Sequence, residues 1–385
     1  MCDSELDNKE FMTKKDGQEI IDTSKNIGLF GLYESFTDEE YNNTKCMHYS
    51  VIKDIHDNPE ILTKEKTFEQ KEWHTFGTLV DIMLTHPFED LERLVVVNDK
   101  VPSEQYIKIT NYLINNNLLP NKLVSDVVNL SNQQIDEIFV NSGSQVNWKT
   151  DTKREKIINE CGDYLELLLQ QKDKIIVSTD VYNEATALAE VFRNHRWTKE
   201  LFYDKETQKK KNIEIFYQYK IKYIYSGIQC KSKIDLIVID HDLQSIKPYD
   251  IKTGSDLPKD FLKNIIYKYK GCYQGVLYRE GLDKFVESLP AFKDYEVDNF
   301  RFVYVSRLKP TYPIILQLDD ACHQEVKEFG IETELYSLPA LDDLFEEAEY
   351  YIDKINSGET NIEPYELQAV WGEKIVTSTK RMLPY

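Results

Sequence analysis

KSKIDLIVIDHDLQSIKPYDIKTG, Lys231 to Gly254, holds two strand-like runs joined by the polar turn DHDLQSIK. Side chains alternate along a strand, so Asp250 and Lys252 point to one face and Ile251 to the other. The turn folds the first run, with Asp235, back beside Asp250. Two carboxylates that meet at one sheet edge repel unless a divalent cation lies between them. Mg²⁺ takes few protein ligands, so two Asp, a backbone carbonyl and waters suffice. Lys252 beside such an ion can polarise a bound water, and the positive charge lowers its pKa toward the range of a base. The same Asp-x-Lys pattern also suits an ordinary salt bridge at a strand end.

Outward from this stretch, the period changes near Leu201 from about four to two. ELFYD, NIEIFYQYKI, KSKIDLIVID and KPYDIKT read as an antiparallel meander. The helix DFLKNIIYKYKGCYQGVLY follows, with Phe261, Ile265, Tyr269, Cys272 and Val276 as its buried stripe. On that helix Lys270, Gln274 and Tyr278 are spaced by four and share a face beside the sheet edge. An ammonium, an amide and a phenol in line can bind a phosphate backbone or a base edge, or serve an amphipathic helix whose tyrosine caps the core. FRFVYVSR and PIILQLD are further strands, and PALDDLFEEAEYYIDKINSG is an acidic helix ended by Gly358.

Before the meander the pattern is helical. FTDEEYNN starts a helix with Thr37 as N-cap and Glu40 three residues on. A second helix spans Tyr49 to His56, and the charged linker TKEKTFEQKEW follows. FGTLVDIMLTHP carries Phe76, Leu79, Val80, Met83 and Leu84 at helical spacing. There Gly77 permits close approach and Asp81 can reach toward a site, or simply face solvent. LERLVVVND is a short strand, and residues 103–197 are mostly helical around the loop NSGSQVNWKTDTK. The fold class is α/β, a mixed central sheet flanked by helices.

The chain has 385 residues, 41% of them hydrophobic and 30% charged, as in soluble globular proteins. Its net charge of −20 argues against a general nucleic-acid coat protein. From Lys199 to Lys284, however, 17 Lys and Arg face 12 Asp and Glu. A locally basic segment in an acidic body suits an enzyme that holds a phosphate backbone in one place, although a solvated lysine-rich face gives the same balance. The six cysteines, Cys2, Cys46, Cys161, Cys230, Cys272 and Cys322, form no CxxC pair, which favours free thiols in a reducing cytoplasm. The sequence shows neither an apolar run of membrane-spanning length nor a signal-like N-terminus.

In order along the chain, Gly77-x-x-x-Asp81, KSKIDLI with Asp235, YDIKTG and Gln274-x-x-x-Tyr278 resemble the PD-(D/E)xK nuclease superfamily. The RecB-like branch, with its D-[YIL]-K-T-G strand and QxxxY helix, is nearest. Upstream, TDEEYNNTKCMHYSVIKDIHDNPEILTKEK and IIVSTDVYNEATALAEVFRNH are similar to the layout of RecE-type (exonuclease VIII-like) phage recombination exonucleases. The resemblance covers about residues 30–310. It implies a restriction-endonuclease-like core in which Asp235, Asp250 and the Ile251 carbonyl hold Mg²⁺, with Mn²⁺ as a substitute. Lys252 is then the catalytic lysine, and Gln274 and Tyr278 support the site and the DNA. Members of this branch often have histidine where this chain has Asp81, a candidate ligand; His74 does not replace it convincingly. Glu214 is a further candidate acid.

The implied activity is hydrolysis of DNA phosphodiester bonds, foremost as an exonuclease resecting double-stranded ends in phage recombination or replication. The rivals are a structure-specific or restriction-like endonuclease on the same fold, a non-catalytic DNA-end-binding scaffold, and an unrelated α/β interaction protein. The resemblance further implies a homo-oligomer, a single-strand annealing protein as partner and a location in the host cytoplasm. Only Cys322 follows the QxxxY helix, so no iron–sulphur cluster is expected; without a Walker loop, no nucleotide is expected either. The expected organisation is a flexible N-terminus over 1–28, a nuclease domain over 29–314 with a helical insertion at about 100–197, and a C-terminal extension over 315–385 bearing the acidic helix.

Overall fold

A computed structural model of the chain describes residues 38–62, 72–85, 95–97, 101–144, 147–170, 174–334, 336–359 and 365. The expected flexible segment 1–28, the cap Thr37 and most of the linker TKEKTFEQKEW lie outside the described residues. The chain divides into two compact units, one made of residues 1–67 and 192–385, the other of 68–191. The inserted unit therefore begins some thirty residues before the expected boundary at 100, taking in the helix that carries Gly77 and Asp81.

The first unit opens with α1 (Asp38–Asn43) and α2 (Tyr49–Ile55). The inserted unit contains α3 (Glu72–Thr85), β1 (Val95–Val97), α4 (Glu104–Asn115), α5 (Asp126–Asn129), α6 (Asn132–Asn141), α7 (Thr150–Lys156), α8 (Gly162–Gln170), β2 (Ile175–Val177) and most of α9 (Thr179–Asn194). On α3 the residues at helical spacing, Phe76, Leu79, Val80, Met83 and Leu84, are all buried. Ser131 and Gln134 form a reciprocal capping box that starts α6. Ile109, Leu113, Ile135, Ile138, Phe139, Ile157 and Leu165 close a helical core, and β1 pairs in parallel with β2.

Back in the first unit come α10 (Lys205–Lys210), β3 (Ile213–Tyr225), β4 (Ile228–Asp240), β5 (Ser245–Gly254), α11 (Pro258–Lys263), α12 (Gly271–Glu287), β6 (Glu296–Val297), β7 (Arg301–Ser306), β8 (Lys309–Gln317), α13 (Asp320–Gln324), β9 (Ile331–Glu332), β10 (Ser337–Leu338) and α14 (Leu341–Asn356). The mixed sheet has the order β3-β4-β5-β7-β8, with β6 beside β5. The hairpins β3/β4, β4/β5 and β7/β8 are antiparallel, whereas β5 and β7 run parallel. A parallel pair needs a long crossover, and α11 and α12 supply it.

One face of the sheet packs against α12, α14 and α2. Val276, Leu282 and Phe285 of α12, Leu341, Leu344, Phe345 and Ile352 of α14, and Ile52 and Ile55 of α2 share a cluster with Ile237, Ile239, Ile246 and Phe302. Burying an aliphatic or aromatic side chain stabilises by roughly 1.5–3 kcal/mol, so this cluster dominates the unit's cohesion. The acidic helix therefore does not belong to a separate extension beginning at 315. Its polar stripe is what composition reports, while its apolar stripe closes the core.

Two local readings differ from the structure. The run ELFYD is no strand: Lys199–Phe202 makes a 3₁₀ turn, since a short apolar run fits either state. The helix read through from Asp260 to Tyr278 is broken. After α11 a π turn covers Asn264–Lys268, and Lys270 adopts a left-handed conformation (φ 52°) before α12 starts. The break swings Tyr269 out of the expected stripe to 41% exposure, while Phe261, Ile265, Cys272 and Val276 stay buried.

Candidate active site

The β4/β5 ladder runs from Asp240–Ser245 to Leu236–Tyr249 and stops. Beyond that rung β5 turns its pairing to β7, from Tyr249–Arg301 to Gly254–Ser306. The antiparallel register makes Asp235 and Asp250 the next opposed pair, the first one past the split. In a continuous ladder their Cα atoms would be about 5 Å apart; here the two strands part at this rung. An Asp at each lip of a fork explains why strand residues here are acidic and not β-branched.

Each carboxylate is held by named donors. The Ile251 backbone N–H donates to Asp235 Oδ2 at 2.8 Å, and the Gln218 amide donates to Oδ1 at 3.3 Å. Asp250, only 2% exposed, accepts from Gln274 Nε2 through Oδ1 at 2.6 Å. Its Oδ2 lies 2.6 Å from Lys252 Nζ. That contact is an ion pair at close range without hydrogen-bond alignment, so the buried oxygen keeps a lone-pair direction open. The Lys252 side chain, 32% exposed, rests over the Phe302 ring at 6.0 Å.

Gln274 and Tyr278 occupy successive turns of α12, both buried. The amide meets Asp250, and the phenol ring packs edge-on against Phe300 at 5.9 Å. Burial, and then Tyr41, Asp250 and Asp235, push the Tyr278 hydroxyl far above its ordinary pKa, so it stays protonated beside the two acids. Gly275 allows this close approach: a Cβ there would collide with the Leu318 Cδ1.

Two expected members stand elsewhere in the first unit. The Lys270 amine binds the Lys53 carbonyl at 2.9 Å and Asp57 at 2.6 Å, at the C-terminal end of α2, where a cation suits the helix dipole. It therefore does not share a face with Gln274 and Tyr278. Glu214 pairs across the sheet with Ile239, four residues along β3 from Gln218, or about 13 Å. It faces His241 at 3.9 Å and is no part of the fork. Asp81 is half-buried on α3 of the inserted unit. Sequence reasoning missed Gln218; the available signal was an amide interrupting the aromatic run FYQY, opposite Asp235.

The oxygen donors at the fork, two carboxylates and the Ile251 carbonyl, suit a hard hydrated cation such as Mg²⁺ or Mn²⁺. Among the described residues no three His, Cys, Asp or Glu side chains converge as a metal cage. A cation that keeps most of its waters fits this donor set; a tetrahedral zinc site does not. The five described cysteines are all free thiols, and no described helix is long and apolar enough to cross a membrane.

No family model and no curated protein matches the chain. Among solved structures, the chain is similar to a crystal structure from Eubacterium rectale described as that of a "Putative exonuclease". That likeness has 12% identity and a TM-score of 0.33, over 66% of this chain and 77% of the other. A superposition this loose carries no argument about fold or activity.

Proposed function

We propose that the fork is the active site of a divalent-metal-dependent nuclease of the PD-(D/E)xK type, hydrolysing DNA phosphodiester bonds. The observation that carries this reading is the opposition of Asp235 and Asp250 at the first open rung, with the Lys252 amine 2.6 Å from Asp250. Asp235, Asp250 and the Ile251 carbonyl would hold Mg²⁺, which when bound supplies charge stabilisation for an in-line displacement at phosphorus. Gln274 keeps Asp250 in one rotamer, with its other oxygen beside the Lys252 amine. Lys252 orients the attacking water and stabilises negative charge as it develops. Tyr278, kept protonated, closes the site against the core.

By resemblance, the substrate is the end of duplex DNA, the enzyme a homo-oligomeric exonuclease, and a single-strand annealing protein its partner. End-labelled linear duplex and a covalently closed circle, each with Mg²⁺ or EDTA, test this for wild type and Lys252→Ala. The expected result is Mg²⁺-dependent shortening of the linear duplex alone, with the variant slowed at least about 100-fold. Cutting of the circle points instead to an endonuclease. Equal rates for wild type and variant end the proposal.

A further inference from the structure

Seven described residues other than glycine have positive φ, and six of them lie in turns or at helix ends: Asn117, Lys122, Asn212, Ser226, Gln244 and Lys270. The seventh, Gln218 at φ 51°, lies in the interior of β3. A long side chain in the left-handed region persists only where its surroundings over-determine it, and such strain gathers at working sites. What holds it here is the core. Phe216 packs against the sheet cluster, as do Tyr219, Ile221 and Tyr223. Phe216 and Tyr219 are an odd number of residues apart, yet their rings meet edge-on at 5.7 Å. Strict alternation would put them on opposite faces.

The partner strand shows the same slip. Ile234 belongs to this cluster, and so do Ile237 and Ile239, so the alternation of β4 also shifts between residues 234 and 237. The register is the same on both sides, Tyr217–Leu236 before and Tyr219–Ile234 after, while the rung between them, Gln218–Asp235, is missing from the ladder. Both strands thus change face at one rung. The Gln218 amide is left pointing at Asp235 Oδ1 from one side, and the Ile251 N–H holds Oδ2 from the other.

We infer that Gln218 is a positioning residue for Asp235, and that the left-handed kink in β3 exists to aim its amide. The inference rests on the nuclease reading of the fork and deepens it. Held at both oxygens, the Asp235 carboxylate has one orientation on the rung opposite Asp250. Partners of this kind typically change metal affinity 10–100-fold when lost.

The kink makes the test sharp, because glycine adopts positive φ without strain. Gln218→Gly suits the left-handed backbone and deletes the whole side chain, the amide included. Its thermal midpoint in EDTA is expected at or up to about 4 °C above wild type. In isothermal titration calorimetry without DNA, its dissociation constant for Mn²⁺ is expected to rise about 10–100-fold. A purely structural role would leave that constant unchanged once the midpoint is preserved. A constant within twofold of wild type overturns the inference and leaves the nuclease reading standing. A wild-type protein that takes up no Mn²⁺ in the same titration overturns both.

Discussion

Replacing Glu214 by Gln tests the electrostatics of the sheet end away from the fork. Glu214 is 8% exposed, and His241 Nε2 lies 3.9 Å from its carboxylate. Burial pushes the Glu214 carboxyl up from 4.5 to about 7, with Lys205 pulling weakly the other way. Burial also lowers the pKa of His241, against the pull of Asp240 and Asp242, so the histidine does not supply a compensating charge. The His241 Nδ1 is engaged by the Tyr295 hydroxyl at 2.8 Å. Between pH 4.5 and 7 the folded protein binds more protons here than the unfolded chain, so this group's contribution to stability falls as pH rises. The shift is about 2.5 units at 1.36 kcal/mol each, an upper bound of about 3 kcal/mol lost by pH 8. Gln keeps the volume and cannot ionise. Urea unfolding at pH 4 to 8 should show the stability difference, variant minus wild type, climbing by up to about 3 kcal/mol and levelling off above pH 7. A constant amide penalty shifts that curve without changing its slope. A flat difference, or one falling with pH, would mean that Glu214 is not held protonated by burial.

Two more perturbations bear on the site and its frame. Gln274→Leu removes the donor to Asp250 Oδ1; Mg²⁺-dependent cleavage should fall about 10–100-fold, and a rate unchanged at saturating Mg²⁺ would count against the buried link. Glu280 behaves oppositely to Glu214: burial opposes ionisation, but hydrogen bonds from His323 and Lys327, both at 2.9 Å, outweigh it and lower the carboxyl to about 2. Its contribution is present above pH 4.5 and lost as pH falls toward 2. Glu280→Gln should therefore lose up to about 3 kcal/mol at pH 7 and converge with wild type near pH 2, read by urea unfolding.

The β3–β5 meander and the opposition of Asp235 to Asp250 were legible because alternation is a local property; the parting of β4 from β5, inside the sheet and not at its edge, was not. Asp235, Asp250 and Lys252 could be placed on opposed strands from spacing alone, and the apolar spacing of α3 located its buried stripe. The breaks were not legible, since they come from the tertiary core. Nothing in a glutamine announces a left-handed strand residue, and the buried positions Phe261, Ile265 and Cys272 keep a helical rhythm straight across the π turn. Lys270 illustrates the same limit: its spacing from Gln274 was right for a shared face, but the end of α2 offers its amine a carbonyl and a carboxylate. For Glu214, only the register of β3 against β4 shows that it stands four rungs from Asp235.

On the proposed reading, Asp235 and Asp250 share one hard cation across the open rung. Anomalous diffraction from crystals soaked in Mn²⁺ measures this directly. One peak is expected within about 2.0–2.3 Å of a carboxylate oxygen from each residue and of the Ile251 carbonyl, absent in Asp250→Asn. A peak elsewhere, or none at the fork with the Asp250–Lys252 pair still closed, would contradict it.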